Sequence, residues 1–149
     1  MQLAVAIAQP EDSVALAALD SQINPSPWSA ERFRAVCAAG AASTTLIARG
    51  ADGIQGFLVY SRVLDEATLL SIGVRREVQR QGLGGRLLDT ACLRMCSEGA
   101  QRCLLEVRVS NRAAIRMYES RAFQPDGVRK AYYRGEQGHE DALLMSRLL

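Results

Sequence analysis

The sequence predicts an α/β (α+β) fold: a mixed sheet with helices on both faces, in the element order βααβββαβαββ. Three observations carry that expectation. The apolar period switches repeatedly between strand-like and helical spacing. Hairpin-type connections are mixed with two strand–helix–strand crossings, so both antiparallel and parallel pairing are required. The chain has 149 residues, 48% apolar and 23% charged. That suits one domain over residues 1–149, with a proper core and no need of a metal or disulfide staple.

Each element has a local reason. Leu3–Ala8 reads as a first strand. Pro10, Glu11 and Asp12 are good first-turn residues for a helix from about Asp12 to Ser21, with an apolar side of Val14, Leu16, Ala17, Ala18 and Leu19. Asn24-Pro25-Ser26-Pro27 breaks the chain, and Ser29 caps a second helix, Ala30–Ala39, that stops at Gly40. Thr45–Arg49 and Gly56–Val63 are strands joined across Gly50-Ala51-Asp52-Gly53, and Ala67–Val74 is another. Leu83, Leu87, Ala91 and Met95 recur every four residues in a helix from about Gly84 to Glu98, ended by Gly99. Cys103–Val109 reads as a buried strand, and Ser110-Asn111 caps a helix running to about Arg121. Val128–Arg134 and Ala142–Leu148 are the last strands, around the polar loop Gly135-Glu136-Gln137-Gly138.

Composition excludes several classes. No apolar run approaches the roughly 20 residues of a membrane helix. The N-terminal stretch MQLAVAIAQPED lacks a basic region and a cleavage site, so a cytoplasmic protein with no membrane contact is expected. The net charge is +2, and Lys130 is the sole lysine among 18 basic residues. Arginine suits bidentate phosphate binding, though codon bias gives the same skew. No basic patch is interleaved with aromatics, so no direct nucleic-acid partner is expected. Cys37, Cys92, Cys96 and Cys103 form no CxxC pair and His139 is the sole histidine, so no metal is expected. The cysteines read as buried free thiols in a reducing compartment, and the protein as a monomer.

The most informative stretch is Gln79-Arg80-Gln81-Gly82-Leu83-Gly84-Gly85-Arg86, between a strand and a strong helix. Glycines allow a tight turn with N–H groups converging on one point, and the helix N-terminus adds partial positive charge. Arg75, Arg76, Arg80 and Arg86 against Glu77 give a local +3, so the stretch reads as a pyrophosphate cradle. A Walker loop fails because no Lys-Ser/Thr follows, and a dinucleotide fingerprint fails because Leu87 stands where glycine is required.

Q-x-x-G-x-G after an apolar strand resembles the acetyl-CoA loop of the GNAT superfamily of N-acetyltransferases. Leu105 to Ser120 is similar to that superfamily's second half. Pro27-Trp28-Ser29, Leu64-Asp65-Glu66-Ala67-Thr68-Leu69, Tyr132-Tyr133 and Gly138-His139-Glu140-Asp141-Ala142 resemble its bacterial ribosomal-protein-alanine branch. The resemblance implies a mostly antiparallel GNAT sheet and acetyl-CoA as co-substrate. It also implies acetyl transfer, without a covalent acetyl-enzyme, to the N-terminal alanine of a small-subunit ribosomal protein.

That chemistry requires a neutral amine, a polarised carbonyl and a proton for the leaving thiolate. An α-amine, with a reference pKa of about 8, loses its proton more readily than a lysine at about 10.4. Glu106 interrupts an apolar strand, where burial would raise its pKa and a nearby arginine oppose this. From the residues alone it is either a base or the ion-pair partner of Arg108; the resemblance makes it the base. Tyr118 is either a core aromatic or, by resemblance, the acid that protonates the CoA sulfur. Asn111 is either an N-cap or a ligand of the CoA arm. The resemblance further assigns acetyl-CoA to Ile72, Gly73, Val74, Gln79, Arg80, Gln81, Gly82, Leu83, Gly84, Gly85 and Arg86. It assigns the peptide pocket to Trp28, Glu66, Tyr132 and Tyr133. Glu66, Glu136, Glu140 and Asp141 are acidic groups expected to face a cationic N-terminus. Ala122 stands where the superfamily often has a helix-ending glycine, and Arg134-Gly135 where proline is common. Acetylation of lysine side chains or small amines, and non-catalytic acyl-CoA sensing, are the alternative readings.

Overall fold

The computed structural model describes residues 3–135 and 138–149. Its strands are β1 (Ala4–Ile7), β2 (Ser43–Gly50), β3 (Gly53–Val63), β4 (Glu66–Val74), β5 (Arg102–Arg108), β6 (Gln124–Gly135) and β7 (Gly138–Leu148). Its helices are α1 (Ser13–Ile23), α2 (Ala30–Val36), α3 (Leu83–Ser97) and α4 (Arg112–Ser120). All seven strands form one sheet in the order β1-β2-β3-β4-β5-β7-β6. The β4–β5 pair is parallel and the others antiparallel. The mixed α/β fold and the element order follow the sequence-based expectation.

Helices cover both faces, and β3 shows why its sequence is apolar without alternation. Phe57 and Val59 pack with Leu16, Leu19 and Phe33 under α1 and α2, whereas Leu58 and Tyr60 pack with Leu87, Leu88 and Met95 of α3. A strand buried on both faces needs apolar residues at every position. Each fully buried Leu or Phe contributes roughly 1.5–3 kcal/mol.

Several boundaries differ from expectation. A single 3-10 turn, Pro10–Asp12, precedes α1, and the Asp12 carboxylate accepts from the Gln9 N–H and pairs with Arg49. Val14 is exposed, so Leu16 and Leu19 carry the buried stripe of α1. α2 ends at Val36. All four cysteines are free, but only Cys92 and Cys103 are buried, and Cys96 is exposed. The last hairpin is longer than predicted, because Tyr133 pairs with Glu140 and Arg134 with His139 beyond the apolar register. This part of the hairpin extends past the core, so no apolar alternation marks it. β6 lies at the sheet edge, where proline is tolerated, and Pro125 stands next to an irregularity in the register.

The cap at Ala122 takes the left-handed form that glycine favours. Its φ is 67°, and the Phe123 N–H returns to the Tyr118 carbonyl at 3.1 Å. A left-handed non-glycine residue costs about 1–2 kcal/mol, part of which glycine returns as unfolded-state entropy. Ala122→Gly is therefore expected to stabilise the protein by about 0.5–1 kcal/mol and raise Tm by roughly 2 °C. A melting curve checks this.

Candidate active site

β4 and β5 are hydrogen-bonded only over Glu66–Thr68 and Arg102–Leu104. Just beyond, Leu70 has no partner in β3, since Leu69 faces Tyr60 and Ser71 faces Val59. Such a bulge bends its strand, and the two strands part. Cavities of about 570, 250 and 600 Å³ follow one another along the gap. The first and second share Ile72, Asn111 and Tyr118; the second and third share Trp28, Glu106 and Tyr133.

The first cavity lies between the end of β4 and the start of α3. Ile72, Gly73, Val74, Gln79, Arg80, Gly82, Leu83, Gly84 and Gly85 line it, with Asn111 and Tyr118. Gln81 and Arg86 instead line a smaller cavity beside Leu3 and Val78, together with Gly82 and Leu83. Gly82, the N-cap of α3, has a φ of 83°, which glycine adopts without strain. A Cβ on Gly84 would lie 3.1 Å from Met117 Sδ, and one on Gly85 would collide with the Arg121 guanidinium. The first turn of α3 is thus a backbone floor at the positive end of a helix, suited to phosphate. Arg80 and Arg121 line the same cavity, with Arg121 Nε held 3.1 Å from Asp89. Arg75 is tied to the Ile54 carbonyl instead. The bare floor, the two guanidinium groups and the narrow continuation toward Glu106 fit a long phosphate-bearing arm such as that of acetyl-CoA.

The alternation of β5 orients the central groups. Cys103, Leu105 and Val107 join the core beneath α3, so Glu106 faces the other side. Glu106 keeps 35% of its side chain exposed, so the burial expected of it is not found: the parting of β4 leaves it on the cavity wall. Its cationic partner is Arg129, at 3.4 Å, rather than Arg108. Arg108 pairs with Glu140 at 3.6 Å and lies 4.4 Å above the Tyr133 ring. Tyr118 is 4% exposed and its ring sits 5.8 Å from that of Phe123. Burial, reinforced by Tyr133 and Cys103, holds its phenol well above the usual tyrosine range, so it remains a proton donor. Asn111 is an N-cap, accepting from the Ala114 N–H at 3.2 Å, and also lines both cavities. Burial pushes the Cys103 thiol up to about 12 and raises Cys92 as well, the opposite of an activated nucleophile.

Trp28, Tyr132 and Tyr133 line the third cavity. β6 loses register between Arg129 and Tyr133, Ala131 takes a φ of 52°, and Asp141 ties the bulge by accepting from the Ala131 N–H at 2.8 Å. The bulge brings the two tyrosine rings to a 4.9 Å edge contact, with Arg129 stacked 4.2 Å above Tyr132. Glu66 lies outside the three cavities, at the exposed start of β4 opposite Arg102. Glu140 and Asp141 are already engaged. Hydrogen bonds from Ser110, then Arg108, hold Glu140 below its usual range, and the Ala131 N–H, then Lys130, does the same for Asp141. Glu136 is outside the described residues. The carboxylates on the central cavity are Glu106 and Asp20.

Sequence reasoning missed Asp20, Asn24, Met117, Arg121 and Arg129. Asp20 had a signal, a carboxylate on the same helical stripe as Leu16 and Leu19. Arg121 and Arg129 had none, standing among many arginines.

A sheet that opens to admit a thioester-bearing arm on one side and an amine on the other is the framework of an acetyl-CoA-dependent acetyltransferase. The chain belongs to the acetyltransferase (GNAT) family, which it matches over residues 13–123. It is 44% identical over 95 residues to the [ribosomal protein bS18]-alanine N-acetyltransferase of Salmonella typhimurium, a match spanning 64% of each chain. The Escherichia coli K12 protein of the same name is 36% identical over 128 residues, 86% of this chain and 85% of that one. The crystal structure of the Escherichia coli ribosomal-protein-S18-alanine N-acetyltransferase superposes with a TM-score of 0.91 at 31% identity, covering 99% of this chain and 94% of that one. Arabidopsis thaliana NAA60 in complex with acetyl-CoA shares the fold, with a TM-score of 0.90 at 17% identity over 99% of both chains. Among the described residues no group of three or more His, Cys, Asp or Glu is placed to hold a metal, and no helix is long and apolar enough to cross a membrane.

Proposed function

We propose that this protein transfers an acetyl group from acetyl-CoA to the N-terminal alanine of a small-subunit ribosomal protein, bS18 by likeness to its relatives. It would act in the cytoplasm, as a monomer. The observation that carries the reading is the continuous cleft with Tyr118 on the acetyl-CoA side and Glu106 on the peptide side. Acetyl-CoA supplies the activated acetyl group. Ile72, Gly73, Val74, Gln79, Arg80 and the Gly82–Gly85 turn hold its arm. Glu106 receives the proton that the attacking amine loses, and Tyr118 donates its phenolic proton to the departing sulfur. The Arg129–Glu106 pair is a partly exposed contact of small strength, so an incoming amine can displace it.

Mass spectrometry of bS18 from cells with and without the enzyme tests the assignment. Loss of 42 Da (about one acetyl group) from the N-terminal peptide is expected when the enzyme is absent. Turnover of peptides blocked at the N-terminus, with lysine as acceptor, would overturn it. Gly84→Val tests the acetyl-CoA floor: its Cβ already meets Met117 and Val74, its two methyls add further bulk, and acetyl-CoA Kd is expected to rise about tenfold or more by calorimetry.

A further inference from the structure

Asp20 is 1% exposed, and no arginine or lysine pairs with it among the described residues. A buried carboxylate without a cation needs hydrogen bonds in its place. Asp20 finds them in the segment that follows its own helix. One oxygen accepts from the Trp28 N–H at 2.8 Å, and the other from the Asn24 side-chain amide. The Asn24 N–H also closes on the Asp20 carbonyl at 2.9 Å. Between these anchors stand Pro25, Ser26 and Pro27, two of which have no N–H to offer. The same carboxylate lines the central cavity with Glu106 and Tyr118. The segment it grips ends in Trp28, which lies on the wall shared with the third cavity, 5.3 Å from the Phe33 ring and beneath the Arg32 guanidinium.

We propose that Asp20 is a positioning residue for the amine substrate: it fixes residues 24–28, and through them Trp28, against the parted strands. The proposal rests on the peptide-acetyltransferase reading for what Trp28 contacts, but not for the grip itself. Both partners of Asp20 donate; an amide at position 20 still satisfies both once the Asn24 amide turns over to accept, whereas an alanine there offers neither partner an acceptor.

Trp28 is the sole tryptophan, so its fluorescence reports on this segment without any substrate. With Asp20→Ala, emission is expected to shift to the red, and KM for a peptide with a free N-terminal alanine to rise about tenfold. Acetyl-CoA Kd is expected to change by less than about threefold, and Asp20→Glu, which keeps two acceptors, to recover part of both effects. Should Asp20→Ala fail to fold, Asn24→Ala removes one of the two bonds and is expected to give the same red shift with a smaller rise in peptide KM. Unchanged emission and peptide KM would overturn the proposal, as would equal losses for both substrates. If the wild-type enzyme turns over no peptide with a free N-terminus, the functional reading fails, while the emission shift still decides whether Asp20 holds the segment.

Discussion

Replacing Glu106 by glutamine is expected to lower kcat by about 100-fold or more while acetyl-CoA binds as before. The side chain keeps its size and its place on β5, opposite Leu144 of β7, so the substitution removes the proposed proton acceptor without creating a cavity. The Arg129 partner loses its carboxylate in the variant, but that pair is half exposed and adds little to stability. A melting temperature near wild type would therefore accompany the loss of turnover. Steady-state kinetics across pH are the measurement. A variant with normal kcat throughout would remove Glu106 from the reaction.

Tyr118→Phe carries the second large effect, a fall in kcat of about 100-fold. The ring remains packed on Phe123, so only the hydroxyl is lost. The pH dependence has a definite sign. Burial raises the phenol pKa above that of an exposed tyrosine, so the donor stays protonated past the usual tyrosine range of about 10. No alkaline limb of kcat due to Tyr118 is expected below that pH. The same shift destabilises the folded state only as pH rises above the unfolded value, where the unfolded phenol ionises first. A leaving thiolate needs less help as its own pKa falls, so acyl thioesters with more acidic thiols should partly restore the variant. Equal deficits for all thioesters would point to packing instead.

The glycine turn, the Glu106 strand and the helix of Tyr118 were legible because each violates a local pattern. Glycines cluster where a helix begins, a carboxylate interrupts apolar alternation, and an N-cap follows a buried strand. The register of the last hairpin was not legible, because its outer pairs are polar and cover no core. The insertion of β7 between β5 and β6 depends on contacts distant in sequence and has no local signature. Glu140 and Asp141 illustrate a different limit. Their charge is plain in the sequence, but whether a carboxylate faces a substrate or a backbone N–H is decided by which groups the fold brings opposite. Ala122 shows that alanine can hold the left-handed cap where glycine is expected.

The separation of β4 from β5 also bears on how products leave. Glu106 and Tyr118 both line the central part of a gap that continues past different walls, one at the start of α3 and one beside Trp28 and Tyr132. On the proposed placement of acetyl-CoA and peptide, the spent carrier and the modified chain would each retreat along the path by which its precursor came. On that placement neither would have to clear the way for the other, and an acetylated protein too large to pass the gap would be released while the nucleotide end remained seated.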